Sequence, residues 1–312
     1  MSIPNNDDSS KLIILITGAT SGLGRLAAKK CLNLGHTVII TARTEDKLKN
    51  AKEWILKDAS LPMKDKLYGL LLDLQDLKTV QTVVDELHNF NLPAIDVVVH
   101  NAGCTCTTFT QVNGCIETTV FINAVAPLYL NRLLMPFLEK SQCPGKRILF
   151  VASSLHDSKV RGGGRGEEDR IPDNVTLADI AGDEQGWHSM KYYKISKLAV
   201  VWNMYALSER ISSDIPVIAF CPGFVPGTEL IRHSNFFMRF VLKYIISNFS
   251  FTTTEDDATN DYVHYITSDI QSASYYQKKQ VSSPSADALD KTKQQAYWEL
   301  ANKTIDTLVK GI

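Results

Sequence analysis

The stretch "KLIILITGATSGLG" at residues 11–24 joins a short apolar run to a glycine-rich turn, and its reading decides the fold. "KLIILIT" (11–17) is apolar almost without interruption, as in a strand covered on both faces. Gly18, Gly22 and Gly24 follow at the strand-to-helix turn, spaced GxxxGxG rather than GxGxxG. Glycines there let the backbone approach a pyrophosphate, while the next helix offers unpaired N–H groups and its positive dipole end. Thr20, Ser21 and Leu23 complete the loop and join the three glycines as candidate cradle residues.

Working outward, the same alternation continues. Further strands are predicted at "HTVIIT" (36–41), "KLYGLLLD" (66–73), "IDVVVH" (95–100), "KRILFVA" (146–152) and "IPVIAF" (215–220). Helices are predicted over 22–33, 44–57, 76–90, around 113–139 and over 190–211, with Gly35 ending the first. Strand alternating with helix predicts an α/β fold, a doubly wound parallel sheet of Rossmann type with helices on both faces. Ligands in such sheets bind beyond the carboxyl ends of the strands. No repeat or linker divides the chain, so residues 11–312 are expected to form one domain behind a disordered polar tail at 1–10.

Composition narrows the function classes. Of 312 residues 44% are hydrophobic and 21% charged, which suits a globular domain, and the net charge of −1 gives no general attraction for nucleic acid. The basic patch "RGGGRGEED" (161–169) is short and followed at once by acid, so it reads as part of an active-site flap at about 155–189 rather than an RNA-binding segment. Six cysteines without framework spacing suit free thiols in a reducing, cytoplasmic setting; Cys104 and Cys106 lack companions with zinc-like spacing, so no metal site is expected. No run reaches the roughly 20 apolar residues of a membrane span.

Arg43, after the second strand, stands where an acidic residue would hold an adenosine ribose, and an arginine there can pair instead with a 2′-phosphate, favouring NADP(H). Asp73 ends the third strand as a candidate adenine contact, and "NAG" (Asn101, Ala102, Gly103) ends the fourth. In "MKYYKISK" (190–197) Tyr193 and Lys197 share a helix face, but "YYQKK" offers the same spacing at Tyr275 and Lys279.

Taken in order, these residues resemble the short-chain dehydrogenase/reductase family over most of the chain. The shared features are TGxxxGxG at Thr17–Gly24, NAG at Asn101–Gly103, Asn123 in "FINAVAPL", Ser153 and Ser154 in "VASS", YxxxK at Tyr193–Lys197, and Pro222–Gly223. This order selects Tyr193 over Tyr275. The resemblance implies that Tyr193 is the general acid/base, that Lys197 also holds the nicotinamide ribose, that Ser154 rather than Ser153 orients the substrate oxygen, and that Asn123 supports a proton relay. Chemistry agrees on the pair: a phenol near pKa 10 is a poor base at neutral pH, and lowering it by two units takes about 2.7 kcal/mol, which nearby positive charge can supply.

Two departures from the family pattern stand out. Ser154 and Tyr193 are 39 residues apart, which leaves room for the flap, and "PGFVPGTEL" has one more residue than usual before Thr228, the expected contact of the cofactor amide. In the last third, "NFFMRFVLKYIISNF" (235–249), within a helical region at about 228–250, is a candidate substrate cover, peripheral membrane contact or core-packing helix. Residues 283–308 resemble the terminal helix of the retinol dehydrogenase, WW-domain oxidoreductase and protochlorophyllide reductase-like branch. The combined expectation is an NADP(H)-dependent oxidoreductase acting on a hydrophobic alcohol or carbonyl. A nucleotide-binding regulatory protein of the same fold is the alternative. A homodimer through the helices carrying Asn123 and Tyr193 is expected by analogy.

Overall fold

A computed structural model describes residues 11–57, 60–164, 166–225 and 253–311. Thr228 and the predicted helix 235–249 lie outside them. The chain runs β1 (Ile13–Ile16), α1 (Gly22–Asn33), β2 (Thr37–Ala42), α2 (Glu45–Leu56), β3 (Leu67–Leu71), α3 (Leu77–Asn89), β4 (Val97–His100) and the helical run α4 (Thr118–Lys140). It continues with β5 (Arg147–Val151), α5 (Leu177–Ala181), α6 (Ser189–Ser208), β6 (Val217–Cys221), α7 (Glu255–Thr267), β7 (Ser274–Gln277), β8 (Gln280–Ser282), α8 (Ala286–Leu289) and α9 (Lys291–Val309).

All six predicted strands and all five predicted helices form, most within three residues of the expected bounds; α4 starts later because a two-strand ribbon (Gln111–Val112, Ile116–Glu117) precedes it. Several of the helices are started or stopped by local chemistry. The Thr44, Asp76 and Thr254 side chains cap α2, α3 and α7, and Gly35, at φ +88, ends α1.

The eight strands lie in the order β8-β7-β6-β5-β4-β1-β2-β3, parallel except for β8, which pairs antiparallel with β7. Because successive side chains of a strand point to opposite faces, β1 feeds two cores at once. Leu15 packs with α3, α4, α6 and α9 on one face, while Ile14 and Ile16 pack with α1, α2 and α7 on the other. All three are fully buried, each side chain contributing about 1.5–3 kcal/mol. The strand order reverses between β1 and β4, which opens the crevice in which such folds take ligands.

The helical run α4 is long and apolar enough by composition to cross a membrane, a property hidden from the sequence reading because Asn123, Asn131 and Arg132 interrupt it. Of its most apolar stretch 72% is buried inside the fold, as befits a core helix. Beside it, α9 lies along α6, and Arg132 of α4 bonds Asp306 and Asn302 of α9. The segment 155–189 carries α5, started by a Thr176–Asp179 capping box, and buries Ile171, Val175 and Ile180.

Candidate active site

The glycine loop is built around close approach. Gly18 has φ +64, and a Cβ there would meet Ala102 Cα at 2.8 Å; a Cβ on Gly24 would fall 2.3 Å from Asn101 Nδ2. Asn101 therefore clamps the loop. Its Nδ2 donates to the carbonyls of Thr17 (2.8 Å) and Gly18 (3.3 Å), and its Oδ1 accepts from the Tyr262 hydroxyl at 2.7 Å. Thr17 Oγ1 accepts from the amides of Asn101 and Ala102, both at 3.0 Å. Expected as a cofactor residue, Asn101 spends its side chain inside the protein and acts as a prop.

Ser21 is the N-cap of α1, yet its hydroxyl makes no capping bond, and Thr20, Gly22 and Leu23 are partly exposed beside it. Arg43 is exposed at the end of β2. Asp73 Oδ1 accepts from the Gln75 amide at 3.0 Å, holding the turn after β3. Pro222 and Gly223 follow β6 directly.

The chemical groups converge at the ends of β4, β5 and β6. Tyr193 and Lys197 lie one turn apart on α6, both buried, with Lys197 Nζ 5.6 Å from the Tyr193 ring centroid. Burial pulls the Lys197 ammonium down to about 8, with the Cys104 and Cys221 thiols acting in the opposite sense. Its visible donor bond runs to the Val151 carbonyl at 2.8 Å. Burial pushes the Tyr193 phenol up, the Cys221 sulfur adds to this, and a hydrogen bond with Ser153 opposes it.

Within the Ser153–Ser154 pair, it is the Ser153 side chain that acts on the Tyr193 phenol. Ser153 is the N-cap of the turn Ser154–His156, while Ser154 directs its amide to Cys221 Sγ at 3.2 Å. His156 fixes this turn. Its Nε2 lies 3.1 Å from the Ser285 amide, which can only donate, so the ring proton sits on Nδ1 and is donated to the Ser153 carbonyl at 2.7 Å. Cys221 and His156 carried no motif, and neither did Tyr262; only the fold brings them here.

Asn123 lies in a π-helical turn, Phe121–Val125, a distortion frequent at functional sites. Its Nδ2 donates to Ser196 Oγ and the Cys104 carbonyl, both at 2.9 Å, and its Oδ1 accepts from the Cys104 amide at 2.8 Å. Gly103 sits beside it: a Cβ there would lie 3.4 Å from Lys197 Nζ and 3.6 Å from Asn123 Oδ1. Tyr275 and Lys279, by contrast, occupy β7 and a hairpin turn, where they cannot share a helix face. A cleft of about 490 Å³ lies on the flap, lined by charged groups such as Glu167, Arg170 and Lys191, and does not include Tyr193.

A doubly wound sheet with a glycine cradle at its first turn and a buried Tyr–Lys pair beyond its strand ends defines a nucleotide-dependent oxidoreductase. The sequence profile of the short chain dehydrogenase family matches residues 12–163. Among curated relatives, the chain is 27% identical to "Short-chain dehydrogenase TIC 32 B, chloroplastic" of Brassica napus, over 98% of this chain and 92% of that protein. It is 30% identical to "Protochlorophyllide reductase A, chloroplastic" of Hordeum vulgare, over 70% of this chain and 59% of that protein. A short chain dehydrogenase from Shigella flexneri 2a str. 301, solved in complex with NADP, shares the fold at a TM-score of 0.60 and 22% identity, covering 86% of this chain and 97% of its own. These matches support a place in the short-chain dehydrogenase/reductase family, with relatives on the protochlorophyllide reductase-like branch.

Proposed function

We propose that the protein is an NADP(H)-dependent oxidoreductase that interconverts an alcohol and a carbonyl on a hydrophobic small molecule. The observation that carries this reading is the buried Tyr193 with the buried Lys197 one turn away, its Nζ 5.6 Å from the phenol ring centroid. The residues fit the coenzyme: the Gly18–Gly24 cradle has no room for a Cβ at Gly18 or Gly24, and Arg43 is exposed where a 2′-phosphate would be paired. NADPH, when bound, supplies the hydride.

The chain's own residues handle the proton. In reduction, Tyr193 donates its phenolic proton to the substrate oxygen as negative charge grows there, and in oxidation its phenolate takes a proton back. Ser153 donates a hydrogen bond to that phenolate, and Lys197 stabilises it by charge. Burial alone drives the phenol the wrong way for a base, so both partners are needed. Asn123 holds the Cys104 main chain and, through Ser196, the Tyr193 turn of α6. The preference for apolar substrates draws on the exposed Phe224 after β6 and on the predicted cover at 228–250.

The test is Tyr193→Phe, assayed with NADPH against apolar aldehydes and ketones. Retained NADPH binding with turnover lost supports the reading, whereas an active variant removes its central residue. A wild type that binds NADPH but turns over no carbonyl would favour the regulatory alternative. Cytoplasmic residence belongs to the same proposal and rests on the free thiols; cell fractionation checks it against the chloroplastic relatives.

A further inference from the structure

Cys104 and Cys106 follow the NAG segment and have no part in the chemistry above. Their loop is held at both residues by the site. Cys104 exchanges two main-chain hydrogen bonds with the Asn123 side chain, at 2.8 and 2.9 Å. The Cys106 amide donates to Thr119 Oγ1 at 3.3 Å, and its carbonyl accepts from Ser189 Oγ at 2.7 Å, at the start of the helix carrying Tyr193.

The two thiols also act on each other across the one intervening residue. Both residues are partly exposed. Among the other cysteines, Cys31 and Cys221 are buried, Cys115 Sγ bonds the Val112 carbonyl and Thr304, and Cys143 Sγ accepts from the Gly145 amide. Only Cys104 and Cys106 combine exposure with a sulfur neighbour among the described residues.

We propose that Cys104 and Cys106 form a dithiol site that reacts with low-molecular-weight disulfides and closes to an intramolecular disulfide beside Asn123 and Lys197. Cys106 is the attacking group. Its interaction with Cys104 draws its thiol down, with help from Thr119 and against burial and the Glu117 carboxylate, in the direction that favours the attacking thiolate. Cys104 is held protonated by the same interaction, with Glu117 opposing its ionisation and Arg43 favouring it.

The Cys106 thiolate attacks one sulfur of R–S–S–R, forms a mixed disulfide and releases RS⁻. Cys104 then loses its proton to solvent, and its sulfur attacks Cys106 Sγ and expels the second RS⁻. Two protein thiols are oxidised and one small disulfide is reduced to two thiols, so no further co-reactant is needed. Closing an S–S bond of about 2.0 Å draws the two residues together and pulls on the Asn123 contacts. The consequence for coenzyme binding rests on the functional reading above; the thiol chemistry does not.

The full-length reduced protein is incubated with glutathione disulfide at neutral pH, quenched in acid, alkylated and mapped by mass spectrometry. The expected product is a peptide lacking two hydrogens and carrying Cys104 and Cys106, formed ahead of any change at Cys115 or Cys143. Cys104→Ser, checked for folding by circular dichroism, should instead trap glutathione on Cys106. A lasting glutathione adduct on Cys106 in the wild type, faster oxidation of Cys115 or Cys143, or no adduct on Cys106 in Cys104→Ser would each overturn the proposal. NADPH titration of both redox forms is expected to show weaker binding after oxidation, restored by dithiothreitol. Equal binding would overturn the link to Asn123, and failure of the reduced form to bind would count against the coenzyme reading instead.

Discussion

Lys197 should make the protein more stable as the pH rises. The ammonium group is buried, and it forms no ion pair with a carboxylate among the described residues. A pKa of about 8 in the folded chain against the ordinary 10.5 corresponds to roughly 3 kcal/mol of destabilisation. The sign follows from proton binding. Below pH 8 folded and unfolded chains both hold the proton, and the burial cost is present in full. Between 8 and 10.5 the folded chain has released the proton and the unfolded chain has kept it, so stability increases with pH. Lys197→Met lacks this titration, while the other groups that ionise in the same range are common to both proteins. Paired urea melts should therefore show the wild type gaining about 2 kcal/mol on the variant between pH 8 and 10. Parallel stability curves would refute the reasoning and mean that the Lys197 environment is as well solvated as the surface. NADPH affinity should fall in the same range as the cation is lost.

Other expectations follow from single contacts. Arg43→Ala should weaken NADPH binding about 10- to 100-fold, the worth of one charge-assisted hydrogen bond, and leave NADH unchanged in fluorescence titration. Tyr262→Phe strands Asn101 Oδ1 without its 2.7 Å donor, so urea melts should show a loss of about 1–3 kcal/mol together with weaker NADPH binding. His156→Phe removes both the donor to the Ser153 carbonyl and the acceptor for the Ser285 amide. Steady-state kinetics should then show kcat reduced with NADPH affinity retained, because the serine turn is displaced while the glycine loop is not.

What the sequence disclosed depended on how local the cause was. The β1 run and the glycine turn after it carry their own periodicity and backbone demands, so strand, loop and α1 were legible in "KLIILITGATSGLG". One helical turn fixes the spacing of Tyr193 and Lys197, but the same spacing recurs at Tyr275 and Lys279, so the surrounding order of motifs was needed to prefer the first pair. The contact of Ser153 with Tyr193 was not legible: it depends on where the 3-10 turn begins, and His156 holds that turn by reaching Ser285, 129 residues away. Tyr262 meets Asn101 across 161 residues, and Cys221 reaches the site only because β6 lies beside β5. The β7–β8 hairpin went unread because its turn uses Lys278 and Lys279 at positive φ, without the Asn-Gly or Asp-Gly signal that usually marks one. "RGGGRGEED" suggested a loose flap, while the segment's anchors Ile171, Val175 and Ile180 lie further along, spaced too widely to form a pattern.

The C-terminal helix has a bearing on assembly. Lying along α6 and bonded to Arg132 of α4, it occupies from within one chain the surface that a second subunit would need for pairing through those helices. Tyr297, Ala301 and Ile305 seal that surface with fully buried side chains. The protein should accordingly sediment as a monomer. Removing residues 291–312 should uncover an apolar stripe that only self-association or aggregation can hide. On that expectation the last helix takes the place of a neighbour, and a stoichiometry measured by light scattering tests it.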